Sequence, residues 1–284
     1  MSITAVNRRP TLFRGVAEVF SARELLFNLT SREVRGKYKR TALGQLWSLL
    51  NPLAQMLTYS LVFGFFLPAR NSPGDPSGLD VFALWLSAAL LPWILFSGVL
   101  TGSMGSLLAN ENLLKKVYFV RSSLVISTAL ATLFTSLFEF GVLIVAIYLF
   151  GGNPTLYIPF VVLFMILLTA LALGLGFLLA VANVYFRDTQ HFVAIFLQVL
   201  FYLTPIVYPV SQVADRVQKS HPWVLTAFRL NPMERFSEAF RNLLYDNRLP
   251  SLPTTLYCIV VPLAVLAVGF SVFIRFEGRL AEEL

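Results

Sequence analysis

The sequence predicts an all-α, multi-pass membrane protein, and three observations support this. The 284 residues are 57% hydrophobic and only 13% charged, whereas soluble domains carry roughly 25% charged residues. The charges are segregated, leaving long neutral runs. None of those runs alternates polar and apolar residues as a barrel strand does. A water-soluble fold of this length could not hide so much apolar surface, so the solvent for most of the chain is the bilayer.

A membrane-spanning helix needs about 20 apolar residues, and a charge at its centre is costly. Charge-free gaps therefore locate the spans. The run 41–69 holds the first span, near 46–67, and the second lies near 81–108. The run 122–186 has a single charge, Glu139, and is too long for one helix. It breaks at Gly-Gly-Asn-Pro, 151–154, a strong turn signal, which gives spans near 123–150 and 156–185. The last two spans are expected near 190–210 and 253–274. Outside the spans lie a tail at 1–45, an outer loop at 210–252 and a short end at 276–284.

Six spans put both termini on one side. That side carries 15 Lys/Arg and the other carries 7, six of them in the long loop between spans five and six. Long loops cross largely regardless of charge, so the short loops and the tail decide, and the termini are expected in the cytoplasm. No cleavable signal peptide is expected, because the first apolar run starts late and runs long.

The tail predicts an interfacial helix. Ser21 and Glu24 have the spacing of a capping box, Leu25, Leu26 and Leu29 follow at helical intervals, and basic residues dominate the rest, a pattern suited to anionic headgroups. Arg32, Arg35, Lys37, Lys39 and Arg40 crowd into nine positions before 29 uncharged residues. In the outer loop, Asn231 reads as an N-cap with Pro232 at the first helical position and Glu234 three residues on. Phe236, Ala239, Phe240, Leu243 and Leu244 form one apolar stripe on a helix too short to span the membrane.

Catalytic patterns are missing. Gly36-Lys37 lacks the upstream Gly and downstream Ser/Thr of a phosphate-binding loop. His191 and His221 have no metal-ligand spacing around them. Cys258 lies in an apolar run and reads as buried filler. A six-span chain without a catalytic set is expected to be a channel or transporter.

Several stretches resemble the permease subunit of bacterial type-2 ABC polysaccharide exporters, which serve O-antigen, capsule and teichoic-acid export. They are REVRGKYKRTALGQLWSLLNPLAQMLTYSLVF, NENLLKKVYFVR, NVYFRD, FYLTPIVYP, RLNPMERFSEAFRNLLY and the terminal RFEGRLAEEL. Each is weak alone, but their order and spacing on a six-span plan carry the resemblance across nearly the whole chain. One departure is Val120, where the family loop usually has proline. The resemblance implies a homodimeric pore in the cytoplasmic membrane and two copies of a separate ATP-binding subunit holding ATP and Mg. It further implies a polysaccharide substrate on a polyprenyl-pyrophosphate lipid, with no cofactor in this chain and no nucleic-acid partner.

It also implies that Asn110, Glu111, Asn112, Leu113, Lys115 and Lys116 form the segment that docks on the ATPase, where a short helix between spans would transmit its movement. From the residues themselves, Asn51, Gln55, Thr58, Tyr59, Phe63 and Phe66 fall within one arc of the first span, and Gln198 and Tyr202 share a face of the fifth. Amides are costly against lipid, so these faces point inward. They suit a sugar conduit of aromatic rings and polar edges, and they equally suit polar contacts between helices. The basic patch orients the first span, and its five side chains are also fit to hold a lipid pyrophosphate. Glu139 is expected to be structural or conformational, and Arg187 with Asp188 to close a salt-bridged turn. Two other functions fit the composition: a permease for drugs or small lipids, and a membrane-embedded glycosyl or phosphoglycosyl transferase. The latter needs clustered carboxylates on cytoplasmic loops, where only Glu111 and Asp188 occur.

Overall fold

Backbone denied water satisfies its own N–H and C=O groups most simply within one helix, and the long neutral runs fold accordingly. The structure, a computed structural model, describes residues 12–37, 39, 43–66, 73–117, 119–210, 223 and 228–280; the side chains at 12–14, 45, 48, 49, 51, 52, 59, 60 and 63–65 fall outside the description. In chain order the helices are α1 (Leu12–Ser21), α2 (Arg23–Lys37), α3 (Trp47–Ser60), α4 (Phe82–Ala109), α5 (Glu111–Lys116), α6 (Ser122–Leu149), α7 (Ile158–Tyr185), α8 (Thr189–Leu203), α9 (Pro232–Leu244) and α10 (Leu252–Glu277). Among the described residues there is no strand. Four helices there are long and apolar enough to cross a membrane: α4, α6, the segment Thr155–Tyr185 containing α7, and α10.

The centre of the bundle is α4, packed between α6 and α7, with α10 on the far side of α7. Small residues allow the close approaches, as they do where lipid removes the hydrophobic drive between helices. A Cβ on Gly269 would overlap the Gly174 carbonyl, one on Gly174 would sit 2.6 Å from Leu266 N, and one on Gly176 would sit 2.5 Å from Ser103 Cβ. Phe177 then fills the α7–α10 seam against Phe270 and Phe273, at ring distances of 5.3 and 5.0 Å.

The predicted N-cap of α9 forms: Asn231 Oδ1 accepts from Met233 N at 3.0 Å. The predicted stripe is fully buried, with Phe236, Ala239, Phe240, Leu243 and Leu244 all at 0% exposure. It packs on α4, α7 and α10, with Phe240 5.3 Å from Phe140 of α6.

Two expectations change. The fifth neutral run was expected to be helical to 210, but α8 stops at Leu203. Thr204 is held extended (ψ 133°) ahead of Pro205, as the residue before proline prefers. Over the stretch predicted as the first span, 46–67, the chain forms α3 continued by a π-helical turn, Leu61–Phe66. The Ser21–Glu24 capping box does not form. Ala22 N bonds Glu18 O and Leu26 N bonds Ala22 O, so helical bonding runs on almost unbroken and Ser21 lies inside it. Instead α2 packs along α6, with Leu29 in a cluster with Leu107, Leu114, Leu124 and Val125.

Candidate functional site

Helices α3, α4 and α8 enclose a groove of about 700 Å3. Helix α3 supplies Ala54, Gln55 and Thr58, α4 supplies Leu90, Trp93, Ile94 and Ser97, and α8 supplies Leu197, Gln198, Phe201 and Tyr202. Rings from two helices form one wall: Trp93 meets Phe201 edge-on at 5.5 Å, and Phe201 meets Tyr202 at 5.3 Å. The Thr58 hydroxyl donates to Ala54 O at 2.8 Å and the Ser97 hydroxyl to Trp93 O at 2.8 Å. Each keeps its lone pairs as acceptors, while the exposed Gln55 and Gln198 amides offer both donors and acceptors.

The structure thus brings Gln55, Thr58, Gln198 and Tyr202, four of the residues the sequence analysis singled out, around one groove. Phe66 is 64% exposed and stands apart from the lining. The side chains of Asn51, Tyr59 and Phe63 lie outside the described residues. Trp93, Ser97 and Phe201 escaped the sequence reading. Helix α4 is apolar on every side, so no face stands out; the one usable signal was Trp93 and Ser97 at i, i+4, one above the other on a helix.

Beside this groove runs an apolar one of about 840 Å3 between α4, α7 and α8, lined by leucines and by Phe96, Phe192 and Phe196. No group of three or more His, Cys, Asp or Glu among the described residues is placed to hold a metal ion.

At the opposite end of α4 lies the predicted docking segment. Asn110 turns inward: its amide donates to Ser106 O at 2.9 Å and its oxygen accepts from Arg32 at 2.7 Å. Leu114 is buried and Leu113 partly so, fixing α5 to the bundle, while Asn112, Lys115 and Lys116 face outward. Lys115 Nζ lies 2.6 Å from Glu111 Oε1. That hydrogen bond and charge hold the Glu111 carboxyl below its ordinary value, with a smaller contribution from Arg187. The expected Arg187–Asp188 salt bridge is not formed among the described residues; Arg187 acts on α5 instead.

The basic patch is divided. Arg32 bonds Glu33 at 2.9 Å as well as Asn110. Arg35, Lys37 and Lys39 are exposed, and Arg40 lies outside the described residues. Lys37 of α2 lies within electrostatic range of Glu139, whereas the sequence offered no basic residue within the spans. Glu139 is 8% exposed, and its Oε2 makes no hydrogen bond. In the family-like motif NVYFRD, Asn183 is buried and donates to Met104 O at 3.2 Å, a bond between α7 and α4.

Four membrane-length helices, a ring-lined groove between one of them and two shorter helices, and a compact helix projecting from one end define a multi-pass membrane transport protein. The chain belongs to the ABC-2 type transporter family, whose pattern it matches over residues 24–245. It is similar to the O-antigen export system permease protein RfbA of Myxococcus xanthus, with 31% identity over 276 residues, covering 96% of this chain and all of that protein. An O-antigen export system permease of Klebsiella pneumoniae is 27% identical over 92% of this chain and 95% of its own length. The polysialic acid transport protein KpsM of Escherichia coli is 23% identical over 85% of this chain and 89% of its own.

Proposed function

We propose that this chain is the transmembrane subunit of an ATP-driven exporter that moves a lipid-linked polysaccharide across the bacterial cytoplasmic membrane. The observation that carries this reading is the α3–α4–α8 groove. It combines aromatic rings, which take the C–H faces of sugars, with amides and hydroxyls, which take their edges. Full-length similarity to O-antigen and polysialic acid export proteins agrees with that chemistry. The apolar groove beside it suits the hydrocarbon chain of a lipid carrier.

In this reading the chain crosses the membrane six times with both termini cytoplasmic, and two copies form the conduit. Helix α5 meets a separate ATP-binding subunit, present twice, which holds ATP and Mg. Glu111, Asn112, Lys115 and Lys116 make the contact, while Asn110 and Leu113 brace the helix from behind. Arg35, Lys37, Lys39 and Arg40 attract the pyrophosphate of the carrier, and Arg32 ties that patch to the docking helix.

Bulk in the groove tests the proposal. In cells carrying the export system, Thr58→Trp or Gln198→Trp should lower surface polysaccharide at least tenfold at unchanged protein level, with lipid-linked polymer accumulating inside. Leu61→Trp, at a position 50% exposed away from the groove, should export normally. Full export by both groove variants would remove the conduit.

A further inference from the structure

A second, strongly charged cavity of about 310 Å3 lies between the first turn of α4, the chain that leaves α8 and helix α9. Trp85 on its wall is eight residues from Trp93, or about 12 Å along α4, and Pro205 follows Tyr202 by three residues. The two linings therefore draw on neighbouring stretches of α4 and of the chain at the end of α8. Helix α9 closes the far side with Glu234, Arg235, Glu238 and Arg241, and the turn after α9 adds Asp246 and Arg248.

Part of this charge is scaffolding. The Arg241 guanidinium lies 3.6 Å from the centre of the Trp85 ring and donates to Pro205 O at 2.8 Å and Ile206 O at 2.6 Å. It thus pins the chain that leaves α8. Arg248 bonds Asn242 Oδ1 and pairs with Asp246, both at 3.1 Å. Glu234 is different. Its side chain is only 6% exposed, its Oε2 has no hydrogen bond, and the nearest cation, Arg235 Nε, stands 3.6 Å away. A buried carboxylate oxygen left without a donor is costly. Burial first, then repulsion from Glu238, pushes the Glu234 carboxyl up to about 7 despite the pull of Arg235, Arg229 and Arg241.

We propose that this cavity is a saccharide subsite, binding a sugar ring of the exported chain as it leaves the groove, with Glu234 and Glu238 accepting from sugar hydroxyls and Arg235 donating to them. The reasoning goes by elimination over the lining. A small anion would meet Glu234, Glu238 and Asp246. A cation would meet Arg229, Arg235, Arg241 and Arg248. An apolar segment would leave all of these groups dry. A polyol both donates and accepts at every hydroxyl, which is what a lining of interleaved carboxylates and guanidiniums requires. The volume sits at the small end of ligand pockets, about 300–1,000 Å3, as suits one or two rings. The inference rests on the exporter reading and adds a site to it.

The test is direct binding to the full-length protein in lipid nanodiscs, by saturation-transfer NMR with methyl glycosides of glucose, galactose, mannose and rhamnose. At least one glycoside should show millimolar binding. Glu234→Gln and Glu238→Gln should each weaken it about threefold, and together about tenfold. Glu238 is 44% exposed, so E238Q carries the test even if E234Q folds poorly. Gln198→Trp should remove only the groove's own share of the signal and leave the share that Glu234→Gln and Glu238→Gln reduce. No transfer to any glycoside, or transfer that both Glu variants leave unchanged, would overturn the subsite. Transfer abolished by Q198W would overturn it too, by placing the sugar in the groove. Failure of the exporter reading would show separately, as normal export from the tryptophan-blocked groove.

Discussion

Where α7 crosses α10, Gly174 and Gly269 leave no room for a side chain between the two backbones. Where α8 crosses α4, the helices meet through Trp93 and Phe201, and a groove of about 700 Å3 remains beside the rings. Both seams lie in one bundle and both are built largely of apolar sequence. The difference lies in which residues stand at the crossing. Glycine brings backbones together and gives van der Waals packing over a wide area, the main attraction available between helices in lipid. Aromatic rings hold helices apart and leave a space that amides and hydroxyls can line. The first seam is a rigid pillar, and the second is a wall that leaves a passage.

The largest effect should come from breaking the pillar. Gly269→Leu places a side chain into the Gly174 carbonyl, and overpacking of a core that cannot yield costs about 1–3 kcal/mol or more. Little folded protein should be recovered from membranes, and what remains should melt well below wild type. Gly141→Ala is the matched control, because a Cβ there meets nothing within 4 Å. Removing glycine from a helix interior should leave stability equal or raise it by up to about 1 kcal/mol.

A smaller effect should come from the charged cavity at the end of the wall. The Glu234 carboxyl sits near 7, above its ordinary 4.5. The folded state therefore holds this proton more tightly than the unfolded chain does. The contribution to stability is full below about pH 4.5 and is lost as pH rises through about 7, by a few kcal/mol at most. Wild-type protein should melt at a lower temperature at pH 8 than at pH 5. In Glu234→Gln that part of the slope should vanish, since the amide has no proton to lose. Parallel pH profiles for the two proteins would show that Glu234 titrates normally.

These seams were unequally legible in the sequence. Asn231, Pro232 and the Phe236–Leu244 stripe announce α9, because a cap and a helical period are local features that the chain keeps when it folds. Gln55, Thr58, Gln198 and Tyr202 could be read because a polar side chain in an apolar run has few places to go. Trp93 and Ser97 could not, since α4 is apolar all round and only its neighbours decide which side faces a space. The Ser21–Glu24 pattern misled because a capping box needs a chain that enters the helix there, and α1 already supplies helical bonds through Ala22. The charge within range of Glu139, Lys37, was not legible because it stands on a helix outside the predicted spans. The fate of Arg241 depends on the Pro205 and Ile206 carbonyls, some 35 residues earlier in the chain.

The central claim is that the polymer travels along the wall and not the pillar. Site-directed photo-crosslinking tests it in one experiment: a benzophenone side chain placed at Gln198, at Thr58 or, as a control, at Val268, which is 59% exposed on α10, with irradiation during active export. The account predicts polysaccharide joined to the protein at 198 and 58, dependent on ATP, and none at 268. Glycan captured at 268 as readily as at 198, or at none of the three positions while export proceeds, would contradict it.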